Sequence, residues 1–419
     1  MTVDAAAVVR KVRARLVPFL FLLYIVAYLD RINVGFAALQ MNAALGFSGR
    51  TFGLGAGVFF LSYVAFEIPS NVILARVGAR VWIARIMITW GLISSATLFV
   101  RSAPAFYAAR FLLGAAEAGF FPGIIFYLTR WFPPHERART IAAFMTATLV
   151  AGVVGGPISG ALLTLDGAGG FAGWQWLFLL EGLPAVALGL IVLAALPERP
   201  AEATWLSPGE RDVLDAALLL EKDDAPVPSR QTASAPFRDA RVWRLAAVYF
   251  TIPVALYAIG FWLPQIVKGA SRRGDFAVGL LSAIPYLVGA IGMVIAGRHS
   301  DRTGERRWHV AAAALLGGTA FAASAAVRNL GPALILLSVA MLGLGSMFGP
   351  FWTLATSVVG RRGAAVGIAL INSIGNIGGF VGPYVFGWVQ DATHSFAAGL
   401  IFIGALLAVG GALVLTVRE

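Results

Sequence analysis

The sequence contains no cysteine, which excludes disulfides, iron–sulfur clusters and thiolate zinc sites. Charge is scarce as well: 13% of the 419 residues are Asp, Glu, Lys or Arg, against about 25% in an ordinary soluble domain. Lysine is rarer still, with three residues beside 29 arginines, a bias that with abundant alanine and glycine suggests a GC-rich bacterial genome. The four histidines, His135, His299, His309 and His394, fall in loops or at the edges of apolar runs, which supports neither a metal site nor a histidine relay. There is no phosphate-binding Walker motif, which argues against ATP-driven pumping. Neither a catalytic constellation nor an attached soluble domain is visible, so an enzyme or a receptor is a poor fit. Apolar residues, by contrast, make up 59% of the chain, and the mean hydropathy is +0.81. A water-soluble globule of this length could not bury so much. The composition is that of an integral membrane protein.

A spanning helix needs ~20 mostly apolar residues to cross ~30 Å of hydrocarbon. Such stretches predict an all-α protein with twelve transmembrane helices. Six are expected near 16–39, 52–75, 81–100, 104–129, 140–165 and 175–196, and six near 243–267, 277–297, 309–327, 331–358, 363–389 and 396–416. The chain thus divides into a bundle over 1–196, a polar middle loop over 197–240 and a second bundle over 241–419. The first apolar segment has no small-residue cleavage site and runs into Asp30-Arg31, so it reads as a span and not as a signal peptide. With both termini placed in the cytoplasm, sixteen of the 32 basic residues fall in short inner segments and six on the opposite side. That excess follows the positive-inside rule. It accounts for the net charge of +11 through contact with anionic lipid, with no nucleic-acid partner. In the middle loop, Ser207-Pro208-Gly209-Glu210 carries the cap, proline and glutamate of a helix start. A short amphipathic helix to about Lys222 is expected there, followed by a flexible linker over 223–236.

Two unrelated motifs repeat at one offset. Arg76-Val-Gly78-Ala-Arg80 is echoed by Arg302-Thr-Gly304-Glu-Arg306, and Gly152…Gly156-Pro157 by Gly378…Gly382-Pro383, each 226 residues later. Duplication of a six-helix unit is the simplest cause. Parallel repeats place a binding site near the bilayer midplane between the halves, where rocking exposes it to alternate sides.

The stretch Gly297-Arg-His-Ser-Asp301-Arg302-Thr-Gly304-Glu-Arg306 resembles the loop signature of the major facilitator superfamily. Four further stretches resemble its anion:cation symporter family, which includes bacterial phthalate, tartrate, glucarate, galactonate and hydroxyphenylacetate permeases. They are Tyr28-Leu-Asp30-Arg31-Ile-Asn33, Arg110 to Gly123 with Glu117 inside it, Trp174-Gln-Trp-Leu-Phe-Leu-Leu-Glu181-Gly, and Phe261-Trp-Leu-Pro-Gln265. The resemblance implies a major facilitator fold, a gating role for Arg76, Gly78, Arg80, Gly297, Asp301, Arg302 and Gly304, and transport of an organic anion. One position departs from the pattern. Ala75 stands where the superfamily has an aspartate in the first-half loop, which puts an ion-pair gate there in doubt.

Charges inside a span cost ~2.5–3.5 kcal/mol on insertion scales, so they pair or they work. Asp30, Arg31, Arg110 and Glu117 are the cases here. Arg110 and Glu117 are seven residues apart, two turns along one face, with Gly114 between them leaving room. Two readings stand: fixed ion pairs that fasten helices, or a transport site whose groups exchange partners. In the second, the arginine fork suits a carboxylate. Arg31 and Arg110 then hold the substrate anion, while Glu117 and Asp30 carry the coupling protons, roles that the resemblance also implies. Desolvation opposes a carboxylate's charge and a nearby arginine favours it, so such an acid changes state when the arginine turns to substrate.

Glu67 and Glu181 remain divided between structural and gating roles, and Arg85 is expected to reach headgroups outside the site. The second bundle has no confident charge within its spans. Its candidate recognition residues are Asn372 and Asn376, which could hydrogen-bond substrate or join helices, and Trp352, which could pack on a substrate face or in the core; Tyr28 joins them from the first half. Gly152, Gly156-Pro157 and Gly160 resemble an antiporter motif, though tight helix packing, with a bend at Pro157, is the favoured reading.

The expectation is therefore a monomeric secondary transporter of the bacterial inner membrane. It imports a small organic carboxylate with protons, and has no cofactor and no partner beyond substrate and lipid. A proton-coupled exporter of drugs or metabolites is the alternative. The mechanism expects all four charges to share one solvent-reachable chamber between the bundles.

Overall fold

The computed structural model describes residues 4–219 and 237–417; the side chains at 134, 135, 138, 139, 142, 143, 149 and 360–365 are outside that description. The expected linker over 223–236 and Arg418 lie outside the described residues, and so do the side chains of His135, Arg139, Arg361 and Arg362. The described chain is helical between short turns, without a strand.

The first half holds α1 (Ala5–Leu45), α2 (Gly49–Val77), α3 (Ala79–Ala96), α4 (Ala103–Glu117), α5 (Phe120–Thr129), α6 (Pro134–Met145), α7 (Ala147–Leu163) and α8 (Gly173–Ala195). The middle segment carries α9 (Pro208–Leu219), and the second half α10 (Ala240–Ser271), α11 (Asp275–Thr303), α12 (Arg307–Ser324), α13 (Leu330–Thr393) and α14 (Ala397–Val414). Ten stretches are long and apolar enough to cross a bilayer. With the shorter apolar α7 and the eighteen-residue α12, twelve crossings result. Most sit within a few residues of the expected bounds, but the first begins eleven residues earlier, at Ala5, the fifth seven later, at Ala147, and the eighth runs six further, to Thr303.

Local chemistry sets the ends. Asp4 caps α1 through Ala6 N at 3.0 Å, and Gly46 ends it in the left-handed conformation at φ 68°. Ser48 caps α2 through Thr51 N at 3.2 Å. In α9 the reciprocal cap forms as expected: Glu210 N donates to Ser207 Oγ at 3.3 Å and Ser207 N to Glu210 Oε2 at 2.8 Å. Lys11 of α1 reaches the same carboxylate at 2.8 Å and holds it below the ordinary glutamate range.

Helical hydrogen bonding runs unbroken through the 64 residues of α13, yet these form two crossings. Tyr249 stacks on Phe351 at 5.1 Å, while a Cβ on Gly375 would meet the same ring at 2.2 Å. Along a straight helix those two positions would stand about 36 Å apart. The chain doubles back between them, and the spans Leu330–Val359 and Val366–Thr393 lie side by side.

The halves meet along α1·α10, α2·α13 and α7·α11. The contacts at this seam lie toward the end remote from the arginine-rich loops. Asp391 of α13 accepts from Gly49 N at 2.7 Å and Arg50 N at 2.8 Å, capping α2 from the other half. Gln40 donates to Asp275 Oδ2 at 2.8 Å and to Leu163 O at 3.1 Å, and Lys268 pairs with Asp275 at 2.7 Å.

Glycine permits the close approach. A Cβ on Gly156 would lie 2.4 Å from Gly279 O, one on Gly160 would lie 2.8 Å from Asp275 O, and one on Gly53 would lie 2.4 Å from Pro383 O. The glycine motif of α7 is thus a packing surface against the opposite half. At the other end, Phe66, Ile68 and Val72 of α2 and Thr353, Thr356 and Ser357 of α13 are exposed. The seam is shut at the far end.

Candidate functional site

Midway along the seam, α1 brings Arg31 to the boundary. Its guanidinium pairs with Glu117 at the end of α4, and its Nη1 lies 3.4 Å from the Tyr257 hydroxyl of α10. The rings of Phe59 and Tyr63 lie under the guanidinium carbon at 5.4 and 5.2 Å. A cation between aromatic faces gains from their quadrupoles as the site loses water. Arg31 therefore touches an acid of its own half and a hydroxyl of the other.

Arg31 and Tyr257 are 226 residues apart, the offset of the repeat. So are Gly35 and Phe261, and a Cβ on Gly35 would come within 2.9 Å of Phe261 Cα. Repeat-equivalent residues touch only close to the pseudo-two-fold axis that relates the halves. Arg31 lies beside that axis, where a site at the repeat interface belongs.

The other three charges sit deeper. Asp30 is 1% exposed and accepts from Ser94 and, at 3.3 Å, from Asn33. Arg110 is 1% exposed, with its three nitrogens free of hydrogen bonds; it lies 5.1 Å above the Phe59 ring and within electrostatic reach of Asp30, Glu117 and Arg31. Glu117 is 1% exposed, with one oxygen on Arg31 and the other unpartnered. The expectation of one chamber shared by all four is corrected. Three are sealed inside the first half, and Arg31 reaches the boundary. The physical reason is packing: a Cβ on Gly114 would lie 2.1 Å from Phe59 O, so the room between Arg110 and Glu117 is filled by the α2 backbone.

A second correction concerns the fourth crossing. The expected single helix breaks immediately after Glu117, where Ala118 is extended and Gly119 has φ 89°. Ser70 donates to Ala118 O at 2.6 Å, backed by Trp82 Nε1 at 3.0 Å. Arg85, expected among headgroups, instead donates to Ala116 O at 3.3 Å and lies 4.2 Å above the Trp82 ring. Carbonyls freed by the break find donors, as buried backbone groups must. Gly119 and the Pro122 that follows were the sequence signals for it.

The remaining expected residues scatter. Tyr28 is buried against Ile32 and Ala151, within electrostatic reach of Tyr257 and Tyr286. Trp352 is half-buried and packs on Tyr249 at 4.7 Å; Asn372 and Asn376 are half-buried on the following crossing. Glu67 is half-buried and lies within electrostatic reach of Arg31 and Tyr63.

The loop motifs differ between the halves. Asp301 pairs with Arg306 at 3.0 Å, Gly304 ends α11 at φ 72°, and Arg302 lies in its last turn after Gly297. In the first half, where Ala75 replaces the aspartate, Gly78 turns at φ 102° between Arg76 and Arg80. There Glu198 accepts from Ala79 N at 2.9 Å and Arg80 N at 2.8 Å, and pairs with Arg130. Glu198 had no signal beyond its place after the sixth span.

The family model described as Major Facilitator Superfamily matches residues 20–383, nearly the whole helical chain just described. The chain belongs to the major facilitator superfamily. A putative tartrate transporter of Agrobacterium vitis is 49% identical over 412 residues, covering 98% of this chain and 95% of that protein. A quinolone resistance transporter of Acinetobacter baumannii is 41% identical over 405 residues, covering 96% and 93%. A bacterial homologue of the human lysosomal transporter Spinster shares the fold, with a TM-score of 0.81 at 19% identity over 96% of each chain. As a major facilitator protein, the chain is a multi-pass membrane transporter with bacterial relatives.

Proposed function

We propose that this transporter carries a small organic carboxylate into the cell with protons, through the bacterial inner membrane, as a monomer. The arginine-rich end faces the cytoplasm, together with both termini. The observation that carries the reading is Arg31, which holds an acid of one half and a hydroxyl of the other beside the repeat axis.

In the proposed cycle, the substrate carboxylate and the Glu117 carboxylate compete for the Arg31 fork. Protonated Glu117 releases the guanidinium, which then binds the incoming anion bidentately. Arg110 and Asp30 sit behind this exchange. Arg110 supplies standing positive charge that favours anions in the site, and Asp30 is the second acid of the coupling pair. Tyr28, Trp352, Asn372 and Asn376 are the neutral recognition groups. Arrival on the cytoplasmic side, where proton activity is lower, returns Glu117 to Arg31 and expels the substrate. The loop residues Arg76, Gly78, Arg80, Gly297, Asp301, Arg302 and Gly304 act at the cytoplasmic gate.

Support for the cargo comes from the 49% identity to a putative tartrate transporter. The test uses purified protein in liposomes with an imposed proton gradient and labelled tartrate. Glu117→Gln is expected to lose uphill accumulation and to retain tartrate exchange. Accumulation by the variant at the wild-type rate overturns the coupling role.

The relative named for quinolone resistance favours a second reading, a proton-coupled exporter. Quinolone drugs carry a carboxyl group too, so Arg31 suits either cargo and direction is what separates the two. Energised inside-out vesicles that accumulate a quinolone but not tartrate would select the exporter.

A further inference from the structure

The site leaves one buried acid without a role. Glu181 of α8 is 6% exposed. Ser159 of α7 donates to its Oε1 at 2.7 Å, and its Oε2 has no hydrogen-bond partner. Helices α1, α3 and α7 pack against α8. The groups they turn to this region are Asp30 and Asn33 from α1, Ser94 and Ser95 from α3, and Ser159 from α7. Among the described residues, no lysine, arginine or histidine comes within ion-pairing distance of Glu181.

This differs in kind from Glu117, which has Arg31, and from Asp30, which has Arg110 within electrostatic reach. A buried carboxylate in a span is costly without a countercharge, and none pairs with Glu181 among the described residues. A proton on Oε2 removes the charge and supplies a donor where the structure has a bare acceptor. Asn33 stands between the two acids, donating to Asp30 at 3.3 Å and lying within reach of the Glu181 carboxyl as well, with an Oδ1 that is itself without a donor. Position matters as well. Trp174 N donates to Gln40 Oε1, and from that level Glu181 is seven residues along α8, about 10 Å, whereas Asp30 is ten residues along α1, about 15 Å. Water entering from the shut end would meet Glu181 first.

We propose that Glu181 is a further proton-carrying site, holding a proton on Oε2 in this state and exchanging it with external water when the shut end opens. The O–H bond breaks there, the proton passes to water, and the reverse step reloads the carboxyl. Glu181 is thus an outer acid in line with Asp30, within the proton-coupled reading proposed above and resting on it.

The test is infrared difference spectroscopy on the whole protein in liposomes, run across a pH series beside tartrate uptake. The wild type is expected to show a carboxylic acid carbonyl band that is lost in Glu181→Gln. Because glutamine still accepts from Ser159, that variant keeps the local packing. Ser159→Ala, which removes the bond to Oε1, should move the band without abolishing it. Glu181→Gln should also shift the pH dependence of tartrate uptake while leaving tartrate exchange intact. A spectrum unchanged by Glu181→Gln overturns the proposal, as does a band that goes while the pH profile of uptake stays put. Should the band behave as expected while Glu117→Gln still accumulates tartrate, the Glu117 coupling role fails alone and Glu181 stands.

Discussion

The two halves share an ancestry and a set of contacts, yet only one carries charge at its centre. At the repeat offset of 226, Asp30 corresponds to Leu256, Arg31 to Tyr257, Arg110 to Leu336, Glu117 to Gly343 and Glu181 to Leu407. The seam contacts, by contrast, are nearly interchangeable. Gly156 meets Gly279 across one side, and Gly53 meets Pro383 across the other. Gly53 and Gly279 are themselves 226 apart, and Pro383 follows Gly382, the counterpart of Gly156. Packing has stayed symmetric while chemistry has moved to one side. In the proposed cycle both halves close on a common axis while the titrating groups lie in one of them.

The largest test of this contrast sets Arg31 against its own counterpart. Arg31→Ala leaves Glu117 buried without its cation, a loss of about 3–5 kcal/mol for a broken buried pair. Calorimetry should separately find tartrate affinity lowered by two or more orders of magnitude, because the variant also lacks the guanidinium that receives the substrate carboxylate. Tyr257→Phe removes one hydroxyl at 3.4 Å and should cost about 0.5–1.5 kcal/mol, a tenfold effect at most. Equal losses from the two variants would end the claim that charge chemistry belongs to the first half.

A smaller effect probes the symmetric part. Gly53→Val and Gly279→Val each push a side chain into backbone of the facing half, at an overpacking cost of about 1–3 kcal/mol. Both should open the shut end to a similar degree. The natural absence of cysteine lets a pair introduced at Arg50 and Gln390 report closure by cross-linking, without background. If one variant opens that end and the other does not, the seam is not symmetric.

The smallest expected change concerns the cap that Asp391 places on α2 from the opposite half. Asp391→Asn keeps the geometry and removes the charge, weakening closure by about 1 kcal/mol. Cross-linking of the same cysteine pair should fall several-fold, and no change at all would make the cap incidental.

Much of this was legible beforehand. Long apolar runs can bury their backbone in lipid only as helices, so the twelve crossings follow from composition and length. Charges that are costly in a span mark themselves, which is why Asp30, Arg31, Arg110 and Glu117 stood out. Their sealing was not legible, because it depends on α2 backbone filling the space at Gly114. Nor was the break after Glu117, since Gly119 and Pro122 are tolerated in many membrane helices. The cap by Glu198 and the capture of Ala116 O by Arg85 join residues far apart in the chain through backbone groups that no side-chain pattern announces.

By itself, the order of residues determined the helical class, the duplication at 226 and the chemical inventory of the first half, because hydropathy and charge are local properties. Only the tertiary structure decided that Arg31 and Tyr257 meet, that Arg110 is enclosed and that one end of the seam is shut. Those outcomes depend on where a symmetry axis passes and on how closely backbones approach, quantities that exist only once the helices have packed.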